Sequence, residues 1–295
     1  MATDVLVALR QALPTLRPAE QRIANVVLEN PSIVRDSTIT ELARACATSL
    51  ATVTRFCSAL GFSGYPEFRM AISSATGREE AERERFSIAD SDIDPRDAAE
   101  DVVSKIAFQE AQAIEQTAKA LDLVTLDAVV AAVVGSSRVD IYGVASSGLT
   151  GQDLQQKLHR IGLVSYCWVD PHLALTSAAL LNSDSVAISI SHSGLTMETV
   201  HALEVAAKAG ARTVAITNYP DSPLAERADL VLTTAARETR YRSGAMSSRI
   251  AQLAVVDFLF VRIAQQLYDR MSESLKLTYD AVQSHRLSYD RKPRA

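Results

Sequence analysis

At 295 residues the chain is long enough for about two domains, each with its own core. Hydrophobic residues are 47% and charged residues 22%, with 11 Gly and 9 Pro, which excludes disordered, collagen-like and disulfide-scaffold chains. A net charge of −5 argues against nucleic acid wrapping the whole surface, yet residues 1–77 hold seven Arg and no Lys against six Asp and Glu, a net +1, while the remainder carries −6.

No apolar run approaches the roughly 18 residues of a spanning helix; the longest tract is 128–134. The first ten residues include Asp4 and lack a basic start and an unbroken apolar stretch, so no secretory signal is read and a cytoplasmic location is expected. Cys46, Cys57 and Cys167 are odd in number and fit neither a disulfide framework nor a paired-Cys zinc site, so reduced, buried thiols are expected. The 16 aromatic residues are too few for a base-stacking platform.

Up to Gly77 apolar residues recur at threes and fours, as in Ile23, Val26 and Val27, so this part is expected to be all helical. Pro18 and Pro31 punctuate a helix over 18–30, and two shorter helices are predicted over 38–45 and 49–60. Residues 78–97 are dense in charge, which predicts a linker or a solvated helix. Beyond Ala98, Ala-rich helices run to about Val134. Val/Ile-rich runs then alternate with helical stretches, and strands are predicted over 138–144, 163–168, 185–190, 212–217 and 230–233. A long helix over 247–271 closes the pattern. The fold class is therefore α/β: a helical domain (1–77), a charged linker (78–97), a doubly wound five-stranded parallel sheet (98–284) and a polar tail (285–295).

Two short helices joined by a turn, with Ser49 as N-cap of the second and Gly61 just past its end, have the form of a helix-turn-helix. Such a unit places the first half of its second helix in the DNA major groove. It would present Ser49, Leu50, Ala51, Thr52, Thr54 and Arg55, with Arg55 on guanine or a phosphate and the hydroxyls on backbone oxygens. The same pattern also describes a three-helix interaction bundle in which these residues only pack and cap. The longer string ATVTRFCSALGFSGYPEFR (51–69) resembles the recognition-helix segment of the RpiR family of bacterial transcriptional regulators. These pair a helix-turn-helix with a sugar isomerase (SIS) domain. The chain departs from the family pattern at Ala47, where a turn Gly is usual, and at Arg17, where a Ser or Thr cap is common.

In the second half, two loops follow strands and open helices: GVASSGL (143–149) and SHSGLT (191–196). Helix N-termini at strand ends suit a phosphate, and Ser191, Ser193 and Thr196 add hydroxyl donors; the same residues also make ordinary caps and turns. Both loops are similar to phosphosugar loops of SIS domains, with Ala145 in place of a second Gly, and the similarity extends through 216–225 and 238–249. The resemblance implies that Ser146, Ser147, Ser191, Ser193 and Thr196 hold a phosphate, that His192 gives a backbone amide, and that Glu238 orients sugar hydroxyls. It implies a homodimeric regulator, without cofactor or metal, whose binding to double-stranded operator DNA responds to a phosphorylated sugar or sugar acid. A phosphosugar isomerase or lyase is the alternative, since His192, Glu198 and Glu238 could each serve as a base.

Overall fold

The computed structural model describes residues 4–89, 92–238 and 245–283. The polar tail and part of the segment 238–249 lie outside the described residues.

Six helices open the chain: α1 (Val5–Ala12), α2 (Pro18–Glu29), α3 (Ser32–Asp36), α4 (Ile39–Ala45), α5 (Leu50–Ala59) and α6 (Tyr65–Arg85). Their apolar faces meet in one core containing Leu9, Ile23, Val27, Leu42, Val53, Phe56, Phe68 and Ile72. Phe68 stands edge-on to both Phe56 and Phe62, with ring centroids 5.5 Å apart in each pair. Arg17 cannot accept a hydrogen bond at the start of α2, and the Glu20 carboxylate takes that role by accepting from the Arg17 amide at 3.1 Å.

The two helices of the helix-turn-helix end in the same way. After α5 the amide of Gly61 reaches Ser58 O and that of Phe62 reaches Cys57 O, and after α4 the amide of Ala47 reaches Arg44 O and that of Thr48 reaches Ala43 O. Both are Schellman closures, which require a left-handed residue after the cap. Gly61 (φ +83°) adopts it freely, whereas Ala47 (φ +47°) does so against its Cβ.

Helix α6 runs through Gly77, where the first unit was expected to end, and on to Arg85. Its buried face stops at Ala75 and Thr76, and the charged turns beyond are solvated helix, tied back by Arg78 to Asp4 at 2.7 Å.

The second half contains α7 (Ala99–Ala120), α8 (Leu123–Gly135), β1 (Arg138–Gly143), α9 (Ser146–Arg160), β2 (Ser165–Trp168), α10 (Pro171–Ala178), β3 (Ser185–Ile190), α11 (Met197–Lys208), β4 (Arg212–Thr217), β5 (Leu230–Thr233), α12 (Met246–Gln266) and α13 (Tyr268–Gln283). All neighbouring strands are parallel, in the order β2-β1-β3-β4-β5. Strand alternation divides the side chains between the two faces. Val139, Ile141, Val186, Ile188, Ile190, Val214 and Ile216 face α8, α9 and α12, while Tyr142, Ala187 and Ala215 face α10 and α11. The single long helix expected over 247–271 is two helices, because the buried positions of α12 stop at Ile263 and Met271 and Leu275 return to the same core from α13. Among the described residues no single helix is long and apolar enough to cross a membrane.

Candidate ligand cleft and nucleic-acid interface

In a sheet of this order the chain leaves β1 in one direction toward β2 and in the other toward β3. The carboxyl ends of β1 and β3 therefore flank the topological switch point, where open parallel sheets leave a crevice. That crevice is a cleft of about 520 Å³. Ser146, Ser147, Ser191, His192, Ser193, Thr196 and Glu238 all line it, so the folded chain brings together the seven residues expected to hold a ligand.

Three helix N-termini open onto it: Ala145–Ser147 of α9, Thr196 of α11, and Ala245–Arg249 of α12. The N-termini of α9 and α11 have no side-chain cap, so their positive ends face this space, while the start of α12 is met by a carboxylate. Arg249 adds a cation to the lining. The one carboxylate, Glu238, accepts from the Ser248 amide at 2.8 Å and so touches the start of α12 directly.

The hydroxyls are held ready to donate. Ser147 Oγ accepts from Gln252 Nε2 at 3.2 Å, and Gln252 Oε1 in turn accepts from Thr150 Oγ1 at 3.3 Å. This fixes the buried amide of Gln252 so that the Ser147 hydroxyl spends its acceptor capacity inward and keeps its proton for the cleft. Ser146 Oγ is buried and has no hydrogen-bond partner. In the other loop Ser191 Oγ accepts from the Gly194 amide at 3.2 Å and lies 3.1 Å from Thr196 Oγ1, and Ser193 Oγ accepts from the Leu195 amide at 3.2 Å.

The backbone takes positive φ at two points of this wall, one freely and one under strain. A Cβ on Gly194 (φ +63°) would sit 2.0 Å from Ser222 Oγ, which locks this position to glycine. Ala145, where the resemblance led to expect Gly, adopts φ +51° and ψ −122°, a region L residues rarely enter. Glu198 is exposed in the first turn of α11 and does not line the cleft. Burial pushes the Cys57 and Cys167 thiols up to about 11, so both stay protonated at neutral pH.

Sequence reasoning missed Ser248, Arg249, Gln252 and Thr150. Ser248 and Arg249 lie in the quoted 238–249 segment, and Gln252 follows one turn later as a polar residue on the apolar face of α12.

In the helical domain Ser49 caps α5 by accepting from the Thr52 amide at 3.2 Å. Ser49, Leu50, Ala51, Thr54 and Arg55 are exposed together on its first turns, Leu50 at 47%. Thr52 departs from the expected reading face. It is 7% exposed, and its hydroxyl lies 2.9 Å from Ser49 Oγ and accepts from Arg55 Nη2 at 3.3 Å. The helical spacing that puts Val53 and Phe56 in the core turns Thr52 partly inward, so it orients Arg55 rather than facing out beside it.

Against known proteins, residues 3–79 match the helix-turn-helix domain of the rpiR family and residues 133–262 match the SIS domain. An uncharacterized HTH-type transcriptional regulator of Caldanaerobacter subterraneus is 37% identical over 97% of this chain and 99% of its own length. The chain belongs to the RpiR family. A similar regulator of Haemophilus influenzae is 32% identical over 96% of this chain and 98% of its own. Among solved structures, the Vibrio vulnificus NanR protein complexed with ManNAc-6P is 29% identical, covers 96% of this chain and 100% of its own, and superimposes with a TM-score of 0.61. The sugar isomerase domain of an RpiR transcription factor from Sphaerobacter thermophilus is 25% identical over 61% of this chain and 98% of its own, with a TM-score of 0.57. The protein is thus a helix-turn-helix transcriptional regulator with a SIS domain.

Proposed function

We propose that this RpiR-family protein controls genes of carbohydrate metabolism and that a phosphorylated sugar or sugar acid in the β1/β3 cleft sets its affinity for operator DNA. The observation that carries this reading is the convergence of two uncapped helix N-termini, those of α9 and α11, with Ser146, Ser147, Ser191, Ser193 and Thr196 around one space. Hydrogen bonds to a charged group contribute about 1.5–3 kcal/mol each, so several together hold a phosphate without a lysine. The likeness to NanR, whose structure holds ManNAc-6P, supports the same class of ligand. Glu238, on the Ser248 amide, takes sugar hydroxyls at the far wall of the cleft.

On the DNA side Arg55 reads guanine or holds a phosphate, Leu50 and Ala51 meet a thymine methyl, and Ser49 and Thr54 bond backbone oxygens. One helix-turn-helix reads only a few base pairs, so two copies act on a two-fold symmetric operator, in the cytoplasm where the DNA is. The test is a thermal-shift screen of phosphosugars followed by operator binding with and without the stabilising compound. A ligand at 100 times its Kd raises stability by about 2.7 kcal/mol. If no phosphosugar raised the melting temperature, or if one did and left operator affinity unchanged, the reading would be wrong.

A further inference from the structure

The strip of residues 234–238, which leaves β5 and reaches the cleft at Glu238, is one of the places where the helical domain meets the second half; α6 also meets α7, where Gln112 Nε2 donates to Glu82, and the end of α1 faces the loop 191–196. The first three amides of the strip are engaged: Thr234 N donates to Thr217 O at 2.9 Å, Ala235 N to Thr117 Oγ1 at 3.0 Å, and Ala236 N to Asn218 Oδ1 at 2.8 Å. At its end Glu238 holds the Ser248 amide of the cleft.

Asn218, 3% exposed, connects this strip to the phosphate-type loop. Its amide donates to His192 O at 3.0 Å, while its Oδ1 accepts from both Ala236 N and Thr234 Oγ1, the latter at 3.1 Å. One residue therefore ties the loop 191–196, through its backbone amide, to the strip, through its side chain.

From the other side, the end of α1 rests on the strip. Gln11 Nε2 donates to Thr234 O at 3.2 Å. Gln11 and Thr15 also share a cavity of about 270 Å³ with His192, Ser193 and Tyr219, so the same end of α1 faces the back of the loop. Next to this contact Arg237 pairs with Asp92 at 3.8 Å, with both side chains nearly half exposed, and it faces Arg10. Burial and then Arg237 lower the Arg10 guanidinium to about 10, while Glu79 and Asp4 oppose the shift. At the strip itself the contact with α1 is one neutral hydrogen bond beside two like charges, Arg10 and Arg237, which makes it the weak part of a boundary that α6 and α7 also share. Helix α1 in turn shares a core with the reading helix, since Leu6 and Leu9 belong with Ile23, Val53 and Phe56.

We infer that Asn218, Thr234 and Gln11 form the relay by which occupation of the cleft repositions the DNA-reading helices. The inference rests on the effector reading above for what fills the cleft, but the contact itself does not. A ligand that engages the loop amides and Glu238 acts on both ends of a strip whose middle holds α1. The docked and undocked arrangements of Gln11 are then the two states between which it selects.

Hydrogen–deuterium exchange on the full chain, with N-acetylmannosamine 6-phosphate and inorganic phosphate as probes, tests this. In the wild type the bound probe should protect amides 191–196 and change exchange over 5–16 by roughly two- to tenfold, the equivalent of one net hydrogen bond. Gln11→Ala alters a partly exposed side chain and leaves the fold intact. In this variant protection of 191–196 should persist while the change over 5–16 disappears; a change that survives the substitution overturns the relay. Without any probe, Gln11→Ala should raise exchange over 5–16 and over 234–236, and unaltered exchange there overturns the contact directly. If neither probe protects 191–196 but the ligand-free effect is seen, the relay stands and the choice of effector is what fails.

Discussion

Ser146 gives two opposite responses to one substitution. Its Oγ is buried without a hydrogen-bond partner among the described residues, at the start of α9, and the residue lines a cleft with other hydroxyls. A buried polar atom left unpaired costs the ligand-free fold about 1–3 kcal/mol, whereas a hydrogen bond to a charged group returns about 1.5–3 kcal/mol when an anion arrives. Ser146→Ala removes both terms. Ala is well tolerated at the first position of a helix, so the variant should be as stable as wild type or more so, by up to about 1 kcal/mol, which is roughly 2–4 °C in melting temperature for a domain of this size. Its affinity for the effector should fall roughly ten- to a hundredfold.

Ser193→Ala is the comparison. Ser193 Oγ already accepts from the Leu195 amide, so its loss should lower ligand-free stability and affinity together. Differential scanning calorimetry of both variants without ligand, and titration calorimetry with the phosphosugar that most stabilises wild type, separate the two. A fall in the melting temperature of ligand-free Ser146→Ala, or an unchanged Kd, would mean that this hydroxyl has an internal role and does not face an anion.

Arg55→Ala should weaken operator binding and leave the effector-induced thermal shift intact; a base contact predicts a loss of about 1–3 kcal/mol confined to one operator position, a phosphate contact a similar loss on every sequence, and unchanged affinity removes Arg55 from the interface. Ala47→Gly should stabilise the helical domain by about 0.5–1 kcal/mol in urea unfolding, the relief of a left-handed alanine less the larger chain entropy of glycine, and no gain would show the turn to be unstrained. The carboxylates of Glu41 and Glu67 are held below the usual 4.5, Glu41 by the Thr38 amide and hydroxyl and Glu67 by the Ser63 hydroxyl and amide. Since the folded pKa lies below the unfolded one, their contribution is present above the unfolded pKa and is lost as pH falls through the folded value; Glu41→Gln should flatten the acid limb of the stability profile, and an unaltered limb would count against the capping role.

The elements legible in the sequence are those whose local and tertiary demands coincide. Strands 185–190, 212–217 and 230–233 are observed over the predicted residues, because near-continuous Val/Ile runs between helices have no competing use. Strand β2 starts at Ser165 and not at Leu163, because the Leu163 amide is taken by Leu158 O in the closure of α9, which turns on Gly162 at φ +82°. The apolar character of Leu163 was read correctly, and its role as the residue that seals a helix end was not. Over 78–85 the charge density, which allowed a linker or a solvated helix, is the solvated helix: these residues extend α6 at little cost and need no buried face to do so.

The cleft was legible where it is made of loops that follow strands, because that position is dictated by parallel-sheet topology and by small hydroxyl and glycine residues in sequence. Its third wall was not, because α12 starts about a hundred residues after Ser147 and is brought there only by packing on α9. Gln252 shows what such a residue looks like beforehand: a polar side chain on a helix face whose neighbours Ala251, Val255 and Val256 are all buried. A buried amide must find partners or destabilise the core, so its presence on that face already requires polar groups opposite it. Thr150 and Ser147 are those groups. Thr52 carries the same lesson in the reading helix, where a hydroxyl counted as facing DNA is drawn inward by the spacing that buries Val53 and Phe56, and acts on the operator only through the position it gives Arg55.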